Sequence, residues 1–118
     1  MPFDHERLDV YQKALDFLVA ANDVVEHLPR GRSHVADQLT RASTSIVLNI
    51  AEGAGKFSPG DKRRYYLSAL GSTTECAAIF DVLLRIRLQG DDVHASGKQI
   101  LERIAAMLVK LAKAQDER

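Results

Sequence analysis

The chain has 118 residues, with sixteen Lys and Arg against sixteen Asp and Glu, a formal net charge of zero and a mean hydropathy of −0.16. Its 46% apolar and 27% charged residues suffice for one core, which argues against disorder and points to a single domain over residues 1–118. The lone cysteine, Cys76, excludes an internal disulfide or a thiolate metal cluster and suits a reducing, cytoplasmic setting, and short apolar runs after an acidic start predict neither a membrane span nor a signal peptide.

Over residues 7–28, Val10, Tyr11, Ala14, Leu18, Ala21, Val25 and Leu28 recur at three- and four-residue steps, which predicts a first helix ended by Pro29. Ser33 offers a capping hydroxyl to a second helix over 33–53, with a core row of Val35, Leu39, Ala42, Ser43, Ile46 and Ile50. Gly53 and Gly55 suit the left-handed backbone of a helix end, and Ser58-Pro59 restarts the chain with a serine cap and a proline at the first helical position. The third helix extends over 59–89 to a stop at Gly90, a length of about 46 Å. A fourth occupies 92–115, with Asp91, Asp92 or the capping-box pattern Ser96-Gly-Lys-Gln99 at its start and Ile100, Ile104, Met107, Leu108 and Leu111 on its apolar face. No segment alternates with the period of a strand. Short connections favour antiparallel neighbours, hence an all-α, up-down-up-down four-helix bundle.

The third helix is apolar over an unusually wide arc. Tyr66, Ala69, Leu70, Thr73, Ala77, Phe80, Leu84 and Leu88 form one row, and Tyr65, Ser72, Cys76, Ile79, Leu83 and Ile86 form its neighbour. Together they span roughly 200°, more than a lone bundle covers. Val10, Phe17 and Val24 broaden the first helix in the same way. Self-association through Val10, Phe17, Val24, Tyr65, Cys76, Ile79, Leu83 and Ile86 is the expectation, with an irregular monomeric core as the alternative.

Chemistry finds little support. Cys76 lies in mid-helix with no histidine nearby in sequence, and reads as a small buried hydrophobe. His5, His27, His34 and His94 are scattered, and none forms the Glu-x-x-His pair of a di-iron bundle. Gly53-Ala-Gly-Lys-Phe-Ser-Pro-Gly-Asp-Lys62 is not a phosphate-binding loop, because Asp61 interrupts it and a helix precedes it. No catalytic residue, cofactor or metal is expected.

Charge is uneven along the chain. Residues 1–28 carry six acids and two bases, residues 29–70 carry seven bases and three acids, and the remainder balances. Arg41, Lys56, Lys62, Arg63 and Arg64, interleaved with Phe57, Tyr65 and Tyr66, form a candidate surface for RNA or DNA. The alternative, which charge counting favours, is pairing with Asp4, Glu6, Asp9, Asp116 or Glu117 at the same end of the bundle. Asn49, Glu52, Ser72 and Glu75 form an inter-helix polar network if their faces meet.

Gln38-Leu-Thr-Arg41-Ala-Ser-Thr-Ser-Ile46, Asn49-Ile-Ala-Glu52-Gly53, Ser58 and Gly71-Ser72-x-x-Glu75 resemble the signature of small bacterial four-helix bundle proteins, among them proteins encoded in intervening sequences of large-subunit ribosomal RNA genes. Leu8-Asp-Val10-Tyr11-Gln-Lys13-Ala14 is similar to that family's first helix. The resemblance implies a homo-oligomer, a pentameric ring, and relatives include accessory variability determinant proteins that bind nucleic acid and a reverse transcriptase. Those relatives are markedly basic, whereas this chain has a pI near 6.9. The expected function is therefore a non-enzymatic interaction or scaffold protein that partners itself or another protein. The alternative is a nucleic-acid-binding accessory protein whose basic patch repeats around the oligomer.

Overall fold

The computed structural model describes residues 2–117. Among them are four α-helices and no strand: α1 (Asp9–Glu26), α2 (Ser33–Gly55), α3 (Pro59–Arg85) and α4 (Asp91–Asp116), preceded by a 3-10 turn over Asp4–Arg7. Helices α1 and α3 each pack against both α2 and α4, giving an elongated body of 47 × 24 × 20 Å.

The helix ends follow local chemistry at some positions and tertiary packing at others. Ser58 caps α3, its Oγ accepting the Asp61 N–H at 3.1 Å, with Pro59 at the first position. Ser33 instead lies inside α2, whose N-cap is Arg32 without a side-chain bond. Gly53 and Gly55 stay within the helix, and the positive φ values belong to Gly31 and Arg87. Arg87 (φ 63°) ends α3 earlier than Gly90 would. Its backbone lets the Leu88 N–H reach the Leu83 carbonyl at 2.8 Å, and Leu88 folds back onto the core. Helix α4 starts at Asp91 with Gly90 as its cap, which places Ser96-Gly-Lys-Gln99 in the second turn rather than at a start.

The core follows alternating steps of four and three. Val10, Ala14, Phe17, Ala21 and Val24 are buried in α1, and Tyr66, Ala69, Thr73, Cys76, Phe80 and Leu83 in α3. This is the a/d spacing of coiled-coil-like packing. It corrects the strip assigned to association. Val10, Phe17, Val24, Cys76, Ile79 and Leu83 face the core of the single chain, Tyr65 is half-buried, and Ile86 alone of the eight is exposed. Rows taken at four-residue steps drift around a helix, whereas a buried seam holds its position by inserting threes. The apolar surface that remains on α3 is its far side, with Leu67, Val82 and Ile86 exposed.

At mid-bundle the Phe17 and Phe80 rings lie 5.3 Å apart, inclined by 46°. Gly97 of α4 receives Phe80: a Cβ there would stand 2.1 Å from Phe80 Cε2. The buried hydroxyls of Ser43 and Thr73 donate to the Leu39 and Ala69 carbonyls of their own helices, each at 2.8 Å, so neither is left unpaired. Gly97→Ala should destabilise the fold by about 1 to 3 kcal/mol through overpacking. Gly71→Ala, where a Cβ meets open space, should instead raise stability by up to about 1 kcal/mol, both read from urea unfolding midpoints.

A charge cluster fastens α3 to α4. Asp81 Oδ1 accepts from Lys98 Nζ at 2.7 Å and lies 2.8 Å from His94 Nε2. The hydrogen bonds from Lys98 and then His94 hold the Asp81 carboxyl below its ordinary value. Such a group contributes stability that is complete above the ordinary carboxylate value and is lost as pH falls through the lowered one. Asp81 is half-exposed, so Asp81→Asn should cost at most about 1 kcal/mol at neutral pH, shrinking as pH falls below the ordinary carboxylate range in chemical unfolding.

Candidate functional site

The chemistry-bearing residues gather on α2, α3 and the turn between them. Midway along the two helices, Ser45 Oγ and Ser72 Oγ lie 2.9 Å apart, and Asn49 Nδ2 donates to both Ser45 Oγ and the Ser45 carbonyl at 2.9 Å. Of the expected polar network, the structure thus brings Asn49 and Ser72 together through Ser45, which is not among the residues expected to form it. Glu52 and Glu75 remain exposed beside it. Small side chains permit this approach, and nearer the turn Gly53 permits a closer one. A Cβ on Gly53 would stand 2.9 Å from Tyr66 Cε1 and 3.0 Å from Tyr65 Cβ.

The basic residues divide. Lys62 Nζ donates to the Ala54 carbonyl at 2.8 Å, so the ammonium that opposes the dipole of α3 satisfies the open C-terminus of α2. Arg63 Nε pairs with Asp116 at 3.2 Å and Arg64 Nη2 with Asp61 at 3.4 Å. Lys56 and Arg64 both lie over the Tyr65 ring, 5.1 and 5.3 Å from its centroid, beside a fully exposed Phe57. Arg41 is separate, fifteen residues or about 22 Å back along α2. Asp116 is among the acids expected to pair, whereas the sequence marks Asp61 only as an interruption of the phosphate-loop pattern.

Two shallow grooves open on the outer side of this region. One, of about 410 Å³, is lined by Arg41, Thr44, Ser45, Leu48, Asn49 and Glu52 among others; the second, of about 260 Å³, lies between Arg41, Ser45, Ser72 and Glu75. Among the described residues no three His, Cys, Asp or Glu side chains gather as a metal site. One eighteen-residue stretch of α3 is apolar enough, by length and composition alone, to match a membrane span, as the core helix of a folded domain also can be.

The profile of a family described as 23S rRNA-intervening sequence protein matches residues 6–110. The chain belongs to that family. Among solved structures it is similar to a protein of unknown function from the S23 ribosomal protein family of Bacteroides thetaiotaomicron, with 24% identity and a TM-score of 0.82 over 88% of this chain and 98% of that one. That likeness establishes the shared fold. No curated protein matches the chain.

In this 23S rRNA-intervening sequence family member Cys76 is fully buried in the seam of α3, and burial pushes its thiol up to about 12. A thiol so placed is neither ionised nor reachable. Native protein should therefore leave an aromatic disulfide reagent unreacted over the time in which one thiol equivalent appears after unfolding in guanidinium. Rapid reaction of the native chain would contradict this placement.

Proposed function

We propose that the protein is a non-enzymatic, homo-oligomeric four-helix bundle that acts as an interaction or scaffold module, in an up-down-up-down order and in the cytoplasm. The observation that carries assembly is the outer side of α3. Leu67 and Val82, and Ile86 just beyond its end, are apolar side chains left exposed there. Three exposed apolar side chains on one side of the folded chain support a contact surface there. The ties from Lys62 to the end of α2 and from Arg63 to the end of α4 support the antiparallel order. A ring of five is the arrangement that the resemblance implies.

Light scattering at micromolar concentration should give a mass several times 13.1 kDa. Val82→Asp should lower that mass while leaving the helical circular dichroism intact, because Val82 is half-exposed and outside the core. A wild-type mass of one chain at all concentrations ends the proposal.

A second reading, contact with RNA or DNA, draws on one feature: Tyr65 flanked by Lys56 and Arg64 beside exposed Phe57. On that reading affinity falls steeply with salt and drops again in a Lys56→Ala, Arg64→Ala variant. Absence of gel retardation for both nucleic acids at low salt removes it.

A further inference from the structure

The outward face of α2 has a charge pattern that its own chain leaves unanswered. At 100° per residue Asp37, Arg41, Thr44, Leu48 and Glu52 fall on one face. Asp37, Arg41 and Glu52 are exposed and, among the described residues, make no ion pair. Leu48, 58% exposed, stands between the opposite charges and beside the 410 Å³ groove.

The pattern is complementary to its own reversal. A two-fold axis crossing α2 between Ile46 and Val47 sets position 41 against 52 and 45 against 48. Arg41 then meets a glutamate, and each Leu48 stands opposite Ser45, a small, half-buried residue. In the parallel arrangement like would face like at every one of these positions. Thr44, Ser45 and Asn49 are small or half-buried, so two helices can approach along this line.

We propose that the outer face of α2 is a docking surface for a second copy of this chain, joined antiparallel about a two-fold axis through the middle of the helix. The proposal rests on the homo-oligomeric reading but uses a contact separate from the outer side of α3. A two-fold contact cannot close a ring of five; it joins copies in pairs, either two alone or one from each of two rings.

Charge reversal tests it. Arg41→Glu and Glu52→Arg should each weaken the contact by about tenfold or more, because each copy then sets like charges opposite one another twice. An equimolar mixture of the two variants should associate again, to within about threefold of wild type, because every 41–52 contact is once more between opposite charges. Arg41 and Glu52 are about 16 Å apart along their own helix, so an internal pair cannot supply that recovery.

Sedimentation velocity across concentrations reads all three samples. For geometry, two Leu48→Cys side chains would lie about 4.5 Å apart along the axis, within disulfide reach, and Leu48→Cys should cross-link on mild oxidation. Val19→Cys, more exposed but on α1, should not. A wild-type assembly unaffected by Arg41→Glu overturns this contact and leaves the homo-oligomer standing. Recovery in the mixture without the Leu48→Cys cross-link overturns the two-fold geometry. A wild type that stays a single chain overturns both.

Discussion

The seat of Phe80 against Gly97 is the constraint on which the bundle depends. One ring fills the space between α1 and α4, touching Phe17 on one side and reaching a position on α4 where even a methyl group would collide. A notch of this kind fixes the axial register of α4 against α3, since sliding α4 by one residue would put Lys98 or Ser96 where only a glycine fits. With the register fixed, the Asp81, His94 and Lys98 side chains meet at the surface of the same pair of helices. Gly53 performs the equivalent task between α2 and α3 against Tyr66. The two glycines thus set the spacing of three of the four helices, and the apolar rows fill the volume that results.

Much of this was legible in the chain. Helical periodicity located four helices, and Ser58-Pro59 gave the start of α3 to the residue because its signal is local: a hydroxyl acceptor followed by a residue without an N–H. The end of α3 was not legible in the same way. Gly90 carries the usual mark of a left-handed residue, but Arg87 adopts that conformation because Leu88 gains burial by turning back three residues earlier. Gly97 was read as part of a cap for a comparable reason. A serine and a glutamine three apart look the same at a helix start and inside a helix, and only the Phe80 ring on a different helix distinguishes them.

The candidate surface was half legible. Sequence identified the residue types, and the small polar side chains of α2 and α3 did meet, yet the side of α3 that packs inward was assigned wrongly. An arc of apolar residues states how much surface a helix wants to bury. It does not state where the neighbours stand. Here α2 and α4 flank α3 closely enough to take the seam through Cys76 and Leu83, so the surplus apolar surface emerges on the opposite flank at Leu67, Val82 and Ile86. The arc that reads as too wide for one chain is covered within it except at Ile86, and Leu67 and Val82 are exposed outside that arc, because coverage depends on where two other helices stand.

The charge count illustrates the same separation between quantity and place. The middle of the chain has a surplus of four positive charges, but Lys62 is used to close α2, Arg63 and Arg64 face acids, and Lys56 rests on Tyr65. An excess that would suggest a polyanion surface is thereby largely spent within one end of the molecule. Arg41 escapes that fate because the buried side of α2 is apolar and its neighbours on the outward side are Asp37, Thr44 and Leu48 rather than a run of cations. A single cation, a single anion eleven residues later and an exposed leucine between them attract a polyanion weakly, since the acid repels what the base attracts. Such a face is better matched by a surface with the same charges in reverse order, and the most available surface of that description is the same helix on another copy.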